Sequence, residues 1–207
     1  MAQCRAQAEG QQLGVETLED FFARTPRIAV ALSGGCDSAY LLAAAKKAGC
    51  EVSAYAIKTA FQPENDLADA AALAQAYGAP FTVIEKEIFT YSDICANTDK
   101  RCYYCKRMMF EAIVLAAQND GFEVVVDGTN ASDDPARRPG FQALAEWGIL
   151  SPLRRAGLTK EDIRSASRKL GLATADKKDF SCYAIYAPAH QPLTCDVVDA
   201  IRLRFER

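Results

Sequence analysis

The chain has a single histidine, His190, in 207 residues, which leaves almost no material for imidazole acid–base chemistry or histidine-ligated metal. That residue stands among prolines in an expected loop. No run approaches the roughly 18 consecutive apolar residues of a membrane span. Residues 1–24 are polar, carry acidic side chains and lack the apolar core of a signal peptide. The expectation is a soluble, cytoplasmic chain with no membrane partner. A net charge of -3 argues against a generic polyanion binder. Internal repeats and low-complexity tracts are absent. So is the Gly-Lys-Ser/Thr ending of a Walker loop, which removes the γ-phosphate clamp of an ordinary ATPase or kinase. With 50% of its residues hydrophobic, the chain is long enough for one well-buried core and short for two.

What is present begins with an apolar run, Ile28 to Leu32, that leads straight into Ser33-Gly34-Gly35-Cys36-Asp37-Ser38 and then into a helical pattern. Adjacent glycines let the backbone turn sharply and approach phosphate oxygens. The helix that follows offers unpaired N–H groups and its positive dipole end to the same anion. Ser33 and Ser38 add hydroxyl donors. A carboxylate does not favour bare phosphate, so Asp37 is expected to help hold a magnesium ion bridging the phosphates, or to orient the loop. A plain strand-closing turn is the alternative. The arrangement resembles the PP-loop ATP pyrophosphatases, which bind the β,γ-phosphates of ATP and direct attack to the α-phosphate.

Strand and helix patterns alternate, the signature of a parallel sheet covered on both faces. Strands are predicted over 28–32, 52–57, 81–84, 123–127 and 147–150. Helices are predicted over about 17–23, 38–48, 65–77, 103–118, 140–146, 160–170 and 196–205, with Gly49, Gly78, Gly121 and Gly171 closing four of them. The fold expected is a single doubly wound, mainly parallel five-stranded α/β sheet of the adenine nucleotide α-hydrolase kind. Its parts are an N-terminal helical segment 1–26, a PP-loop nucleotide-binding domain 27–185 that also carries Cys102, Cys105 and Cys182, and a helical tail 186–207. In open sheets of this kind ligands lie beyond the carboxyl ends of the strands. Residues 33–38, Gly128-Thr129-Asn130 and Ser151-Pro152-Leu153 each follow a predicted strand, so all three are expected on one edge. Taken alone, Asp127-Gly128-Thr129-Asn130 also reads as a simple turn.

Eight cysteines in a chain read as cytoplasmic are too many for a disulfide scaffold, because thiols there are kept reduced. Cys102 and Cys105 form a Cys-x-x-Cys pair at the start of a predicted helix, a position that favours thiolate. Such a pair alone serves zinc, redox chemistry or an iron–sulfur cluster. Cys182 is the candidate third thiol, and Cys95 a fourth if the ion is zinc. Cys36, Cys50, Cys4 and Cys195 read as buried or incidental thiols. Between residues 137 and 178 ten Lys/Arg face four Asp/Glu, either a solvated helix face or a surface for an anionic substrate.

The series Asp127-Gly128-Thr129-Asn130, Asp133-Asp134, Arg138-Pro139-Gly140, Ala143, Glu146, Ser151-Pro152-Leu153, Gly157-Leu158-Thr159-Lys160 and Ile163-Arg164 resembles, in order and spacing, the ATP-dependent sulfur transferases of the LarE type. With residues 33–38 the resemblance covers roughly 27 to 182. It implies adenylation of a carboxylate on a pyridinium mononucleotide and replacement of an oxygen by sulfur, in building a nickel-pincer cofactor. One branch of the family sacrifices a single cysteine, matching Cys182. The other has three, matching Cys102, Cys105 and Cys182, which hold a 4Fe-4S cluster whose open iron carries sulfide as nucleophile. This chain resembles the second branch. The family's lysine-proline-serine before the last cysteine is replaced by Lys177-Lys178-Asp179, its following arginine is absent, and the chain ends at Arg207, as a C-terminally shortened relative would.

The resulting expectations are specific. Ser33, Gly34, Gly35, Asp37 and Ser38 hold pyrophosphate and Mg2+, and Gly128, Thr129 and Asn130 line the adenylate pocket. Lys160, with Arg164, stabilises charge as pyrophosphate leaves. Arg138, Arg155 and Arg164 hold an acidic substrate. Cys102, Cys105 and Cys182 deliver sulfur, supplied by a donor such as a cysteine desulfurase or free sulfide. A homo-oligomer is possible. The competing readings are a PP-loop enzyme that thiolates tRNA and a nucleotide- and metal-binding protein without catalysis.

Overall fold

The computed structural model describes residues 16–205. Helix α1 (Leu18–Arg24) is capped by Thr17, whose hydroxyl accepts from the Asp20 N–H. After it come β1 (Arg27–Ala31), α2 (Cys36–Lys47), β2 (Glu51–Lys58), α3 (Glu64–Ala76), β3 (Phe81–Glu85), α4 (Ser92–Cys95), α5 (Arg101–Asn119), β4 (Val125–Val126), α6 (Gly140–Glu146), α7 (Pro152–Arg155), α8 (Lys160–Lys169) and α9 (Cys195–Phe205). Short 3-10 turns lie at Ile88–Thr90, Pro135–Arg137 and Tyr183–Tyr186.

The sheet order is β3-β2-β1-β4, and every neighbouring pair is parallel. Parallel neighbours demand crossover helices, and the period-2 pattern of the strands sends side chains to both faces. Ile28, Val30, Val52 and Ala54 pack with α1, α2, α3 and Ile163 of α8 on one side. Ala29, Tyr55, Ile57 and Val125 pack with α5 and α6 on the other. The doubly wound architecture is therefore as expected, and burial of each such Val, Leu or Ile side chain contributes on the order of 1.5–3 kcal/mol. Strand order reverses between β1 and β4, so the carboxyl ends of those two strands form the switch point at which this kind of sheet binds ligands.

The sheet has four strands where five were predicted. Most of 147–150 is consumed in ending α6: the N–H groups of Trp147, Gly148 and Ile149 donate to the carbonyls of Ala143, Ala145 and Leu144, with Gly148 at φ +64°. Pro152 then starts α7. Only Leu150 is left to pair, as an isolated parallel bridge to Val126. β4 is likewise reduced to two residues.

A third apolar cluster sits beside the sheet edge rather than on its faces. Phe61, Ile88, Ile94 and Met108 meet Tyr183, Ala184, Leu193, Val198 and Ile201, and α9 packs on the 3-10 turn Tyr183–Tyr186. No helix among the described residues is long and apolar enough to cross a membrane. Cys4 lies outside the described residues.

Candidate active site

The loop after β1 is built around a glycine that nothing else replaces. Gly34 has φ +76°, and a Cβ there would lie 2.0 Å from the Asp66 carbonyl oxygen in the first turn of α3. Gly35 is extended (φ -88°, ψ 166°) and caps α2 without a side-chain bond. The Ser38 hydroxyl accepts from the Ser33 N–H at 3.1 Å and lies 3.1 Å from the Ser33 hydroxyl. Gly128 belongs to the same edge, because a Cβ on it would lie 2.7 Å from the Ser38 nitrogen.

Asp37 is on the first turn of α2. Its Oδ2 accepts from the Lys160 ammonium at 2.9 Å, while its Oδ1 is buried and without a hydrogen-bond partner. Burial raises the Asp37 pKa, and the Lys160 ammonium only partly counters it. Burial pulls the Lys160 pKa down, but the hydrogen bonds it donates to Asp179 and Asp37 outweigh that and hold it above its ordinary value. Lys160 reaches this point from the first turn of α8, whose N-terminus is fixed by a Thr159–Asp162 capping box.

Asp127, at the end of β4, binds two of the three expected edge motifs together. Its carboxylate accepts from the Thr129 and Ser151 hydroxyls, the latter at 2.6 Å. Asn130 is buried; its N–H donates to Asp133 and its side-chain oxygen accepts from the Ser132 N–H. Arg154 closes this turn through the carbonyls of Asn130 and Asp133. Arg138 pairs with Asp133 at 2.7 Å and is largely exposed. Arg155 is exposed on α7, with no ion pair among the described residues. Arg164 braces the backbone, donating to the carbonyls of Ala175 (2.7 Å) and Lys177 (2.9 Å) and to Asp179 (3.2 Å).

Several partners escape a reading of the sequence. The Lys177 ammonium donates to the Gly34 carbonyl at 3.1 Å and to Asp66 at 2.7 Å, and also pairs with Asp69. Asp179 accepts from Lys160 at 2.6 Å. Both occupy the segment where the resemblance departs from its family, and that departure is the one available signal.

Cys102 and Cys105 lie in the first turns of α5, and Cys182 precedes the 3-10 turn at Tyr183–Tyr186. Cys105 and Cys182 pack on the same apolar cluster. Burial pushes the Cys105 thiol up to about 12, with the neighbouring thiols of Cys182 and Cys102 adding to it. Burial likewise raises Cys182, and Cys102 again contributes. At Cys105 the thiolate preference of a helix start is overridden by burial. Among the described residues, no three Cys, His, Asp or Glu side chains are grouped to hold a metal ion as they stand. Arg101 joins this corner together: it donates to Cys102 Sγ at 3.5 Å, to the Ala184 carbonyl at 2.8 Å and to the Asn97 side chain. Cys95 directs its thiol to the carbonyls of Ile88 and Phe89. Cys36 and Cys50 are buried as expected, and Cys195 is exposed.

The asparagine synthase family matches residues 21–131 of this chain, from α1 through the loop after β4. A pyridinium-3,5-bisthiocarboxylic acid mononucleotide synthase from Lactiplantibacillus plantarum is 31% identical over 153 residues, 73% of this chain and 55% of that protein. A tRNA-specific 2-thiouridylase MnmA from Frankia alni is 31% identical over 188 residues, 74% of this chain and 53% of its own length. The chain spans little more than half of either relative. Among solved structures, NMN synthetase from Francisella tularensis has a TM-score of 0.61 at 16% identity, covering 92% of this chain and 89% of that one, a likeness of fold. With the matched span running across the loop 33–38 and the switch point at the ends of β1 and β4, the chain belongs to the asparagine synthase family of PP-loop ATP pyrophosphatases.

Proposed function

We propose that this chain is an ATP-dependent sulfur transferase that adenylates an acceptor carboxylate and exchanges the activated oxygen for sulfur. One observation carries the nucleotide half: Asp37 presents a buried, unpartnered carboxylate oxygen at the phosphate loop while Lys160 holds the other. A buried carboxylate oxygen without a partner is costly, and Mg2+ bound with phosphate oxygens relieves it, since the ion prefers one or two carboxylates plus phosphates. Ser33, Gly34, Gly35 and Ser38 cradle the β,γ-phosphates, and Gly128, Thr129 and Asn130 line the adenylate.

An acceptor carboxylate oxygen attacks the α-phosphorus. The bond from that phosphorus to the bridging oxygen breaks, and pyrophosphate leaves with the electron pair. Lys160, already beside the loop, offsets the charge that develops. Hydrosulfide then attacks the acyl carbon, AMP leaves with its oxygen, and the sulfur's proton passes to solvent, leaving a thiocarboxylate. The acceptor class follows the pyridinium synthase among the relatives.

The sulfur half is supported by the packing of Cys105 and Cys182 on one apolar cluster, with Cys102 three residues before Cys105 at the start of α5. When bound there, a 4Fe-4S cluster would supply an iron with an open position for sulfide. The sulfide comes from a donor such as a cysteine desulfurase or from free sulfide.

Release of labelled pyrophosphate from ATP tests the reading. Acceptor-dependent release is expected, lowered by more than about 100-fold in Asp37→Ala, the scale at which a lost transition-state stabiliser acts. Release of inorganic phosphate instead would overturn it. For the sulfur half, chains purified without oxygen should contain about four irons with acid-labile sulfide, both lost in Cys182→Ala. One zinc and no sulfide would sink the cluster. A tRNA base as acceptor is the second reading, favoured by the similarity to the 2-thiouridylase.

A further inference from the structure

Residues 175–184 cross the carboxyl edge of the sheet from the phosphate loop to the thiol corner, and they are fastened along the way. Arg164 holds the carbonyls of Ala175 and Lys177. The Lys177 side chain grips the Gly34 carbonyl of the loop together with Asp66 and Asp69 of α3. Asp179 is fixed to Lys160, the partner of Asp37. At the far end the Tyr183 N–H donates to the Phe61 carbonyl at 2.8 Å, and the Ala184 carbonyl accepts from Arg101. Cys182 lies between these last two fastenings and Asp179.

We propose that Lys177 is a positioning residue that registers Cys182 against the phosphate loop, so that occupancy of the pyrophosphate site is transmitted to the thiol corner. Five peptide units separate Lys177 from Cys182, at most about 18 Å of fully extended chain. A shift of the Gly34 carbonyl is therefore handed on over a short path. Gly34 itself has no slack toward α3, since the Asp66 carbonyl already fills the space a Cβ would take. Pyrophosphate and Mg2+ at Asp37 would compete for Lys160, which would leave Asp179 with Arg164 as its remaining partner. The segment is thus held at two points on the nucleotide side, Lys177 on the loop and Asp179 on Lys160, and both sit within five residues of the sulfur. Where the family has lysine-proline-serine, this chain places Lys177-Lys178-Asp179, which supplies the second of those points. The inference rests on the sulfur-transfer reading for the role of Cys182 and on the phosphate loop for its trigger.

Hydrogen–deuterium exchange on the full chain, with and without Mg2+–pyrophosphate, separates the two. In the native chain, exchange is expected to change several-fold both at 32–38 and at 179–184. In Lys177→Met, the loop response should persist while the response at 179–184 disappears, and Lys177→Arg should restore it, which loss of structure would not. Asp69→Asn removes the more exposed carboxylate partner without touching the core and should weaken the same response. Persistence of the 179–184 response in Lys177→Met, or a native response confined to the loop, would overturn the inference while leaving the nucleotide site standing. No response at either segment of the native chain would overturn both.

Discussion

At the scale of single residues, the phosphate loop depends on an atom that is missing. Alanine at Gly34 would face a left-handed φ, costing roughly 1–2 kcal/mol, and a backbone contact at 2.0 Å that no rotamer relieves. Gly34→Ala is expected to lower the urea midpoint by more than that conformational cost alone and to abolish ATP binding by calorimetry. Asp37 gives a pH prediction. Its pKa is raised in the fold, by burial ahead of the opposing Lys160 charge. The folded state therefore holds the proton more tightly than the unfolded chain, and that contribution to stability is lost as pH rises through the raised value. Metal binding runs the other way, because it needs the anion. Mg2+–pyrophosphate affinity should fall on acidification while an ordinary carboxylate would still be ionised. A calorimetric titration flat down to the ordinary carboxylate range would contradict this. The glycines, Asp37 and Lys160 are legible in the sequence because a local motif and a helix start announce them. Lys177 is not, since its bond to Gly34 joins residues 143 apart in sequence. Arg164 reads as a substrate ligand for the same reason: nothing local reveals that its guanidinium is occupied by the carbonyls of 175 and 177.

Secondary-structure elements are readable where periodicity and end signals agree. α6 falls on its predicted residues, and the glycines at 49, 78, 121 and 171 all have positive φ, as helix-closing residues do. Where an end signal competes with pairing, the end signal wins. Gly148 closes α6 inside what reads as a strand, and α7 starts at Pro152, so a fifth strand has no residues left to form. α4 and α7, four residues each, are too short for any periodicity to announce. The N-terminus of α8 bears most directly on the proposed site, because the Thr159–Asp162 box fixes the turn from which Lys160 reaches Asp37. Thr159→Ala should cost about 1 kcal/mol of stability, the usual loss of a cap, visible in the denaturant midpoint. It should also weaken pyrophosphate binding, whereas Thr159→Ser should retain both. Unchanged affinity in a destabilised Thr159→Ala chain would detach the cap from the site.

For the whole molecule, the question is what its charge is arranged to meet. The sequence places ten cations against four anions between residues 137 and 178, which reads as a solvated helix face or a surface for an anionic substrate. Folding redistributes them. Lys160, Arg164 and Lys177 turn into the loops around Asp37 and Gly34, and Arg154 serves the carbonyls of Asn130 and Asp133. Arg138 and Arg168 are paired with Asp133 and Asp176. Among the described side chains of that stretch, Arg155, Lys169 and Lys178 remain exposed without an ion pair. Tight sequence-independent binding draws on about 6–10 phosphate contacts. Three such cations in that stretch fall short of this, on a chain of net charge -3. Bulk tRNA should therefore be poorly retained in a gel shift even at about 50 mM salt. Any weak binding should show a log–log salt slope no steeper than about -3, by the rule of nearly one unit per neutralised phosphate. Firm retention with a slope of about -6 or steeper would mean that the surface pairs at Arg138 and Arg168 open to the nucleic acid, and the acceptor would then be a tRNA base. A small acidic acceptor of the kind proposed makes no such demand, because it needs a few cations rather than a track of them.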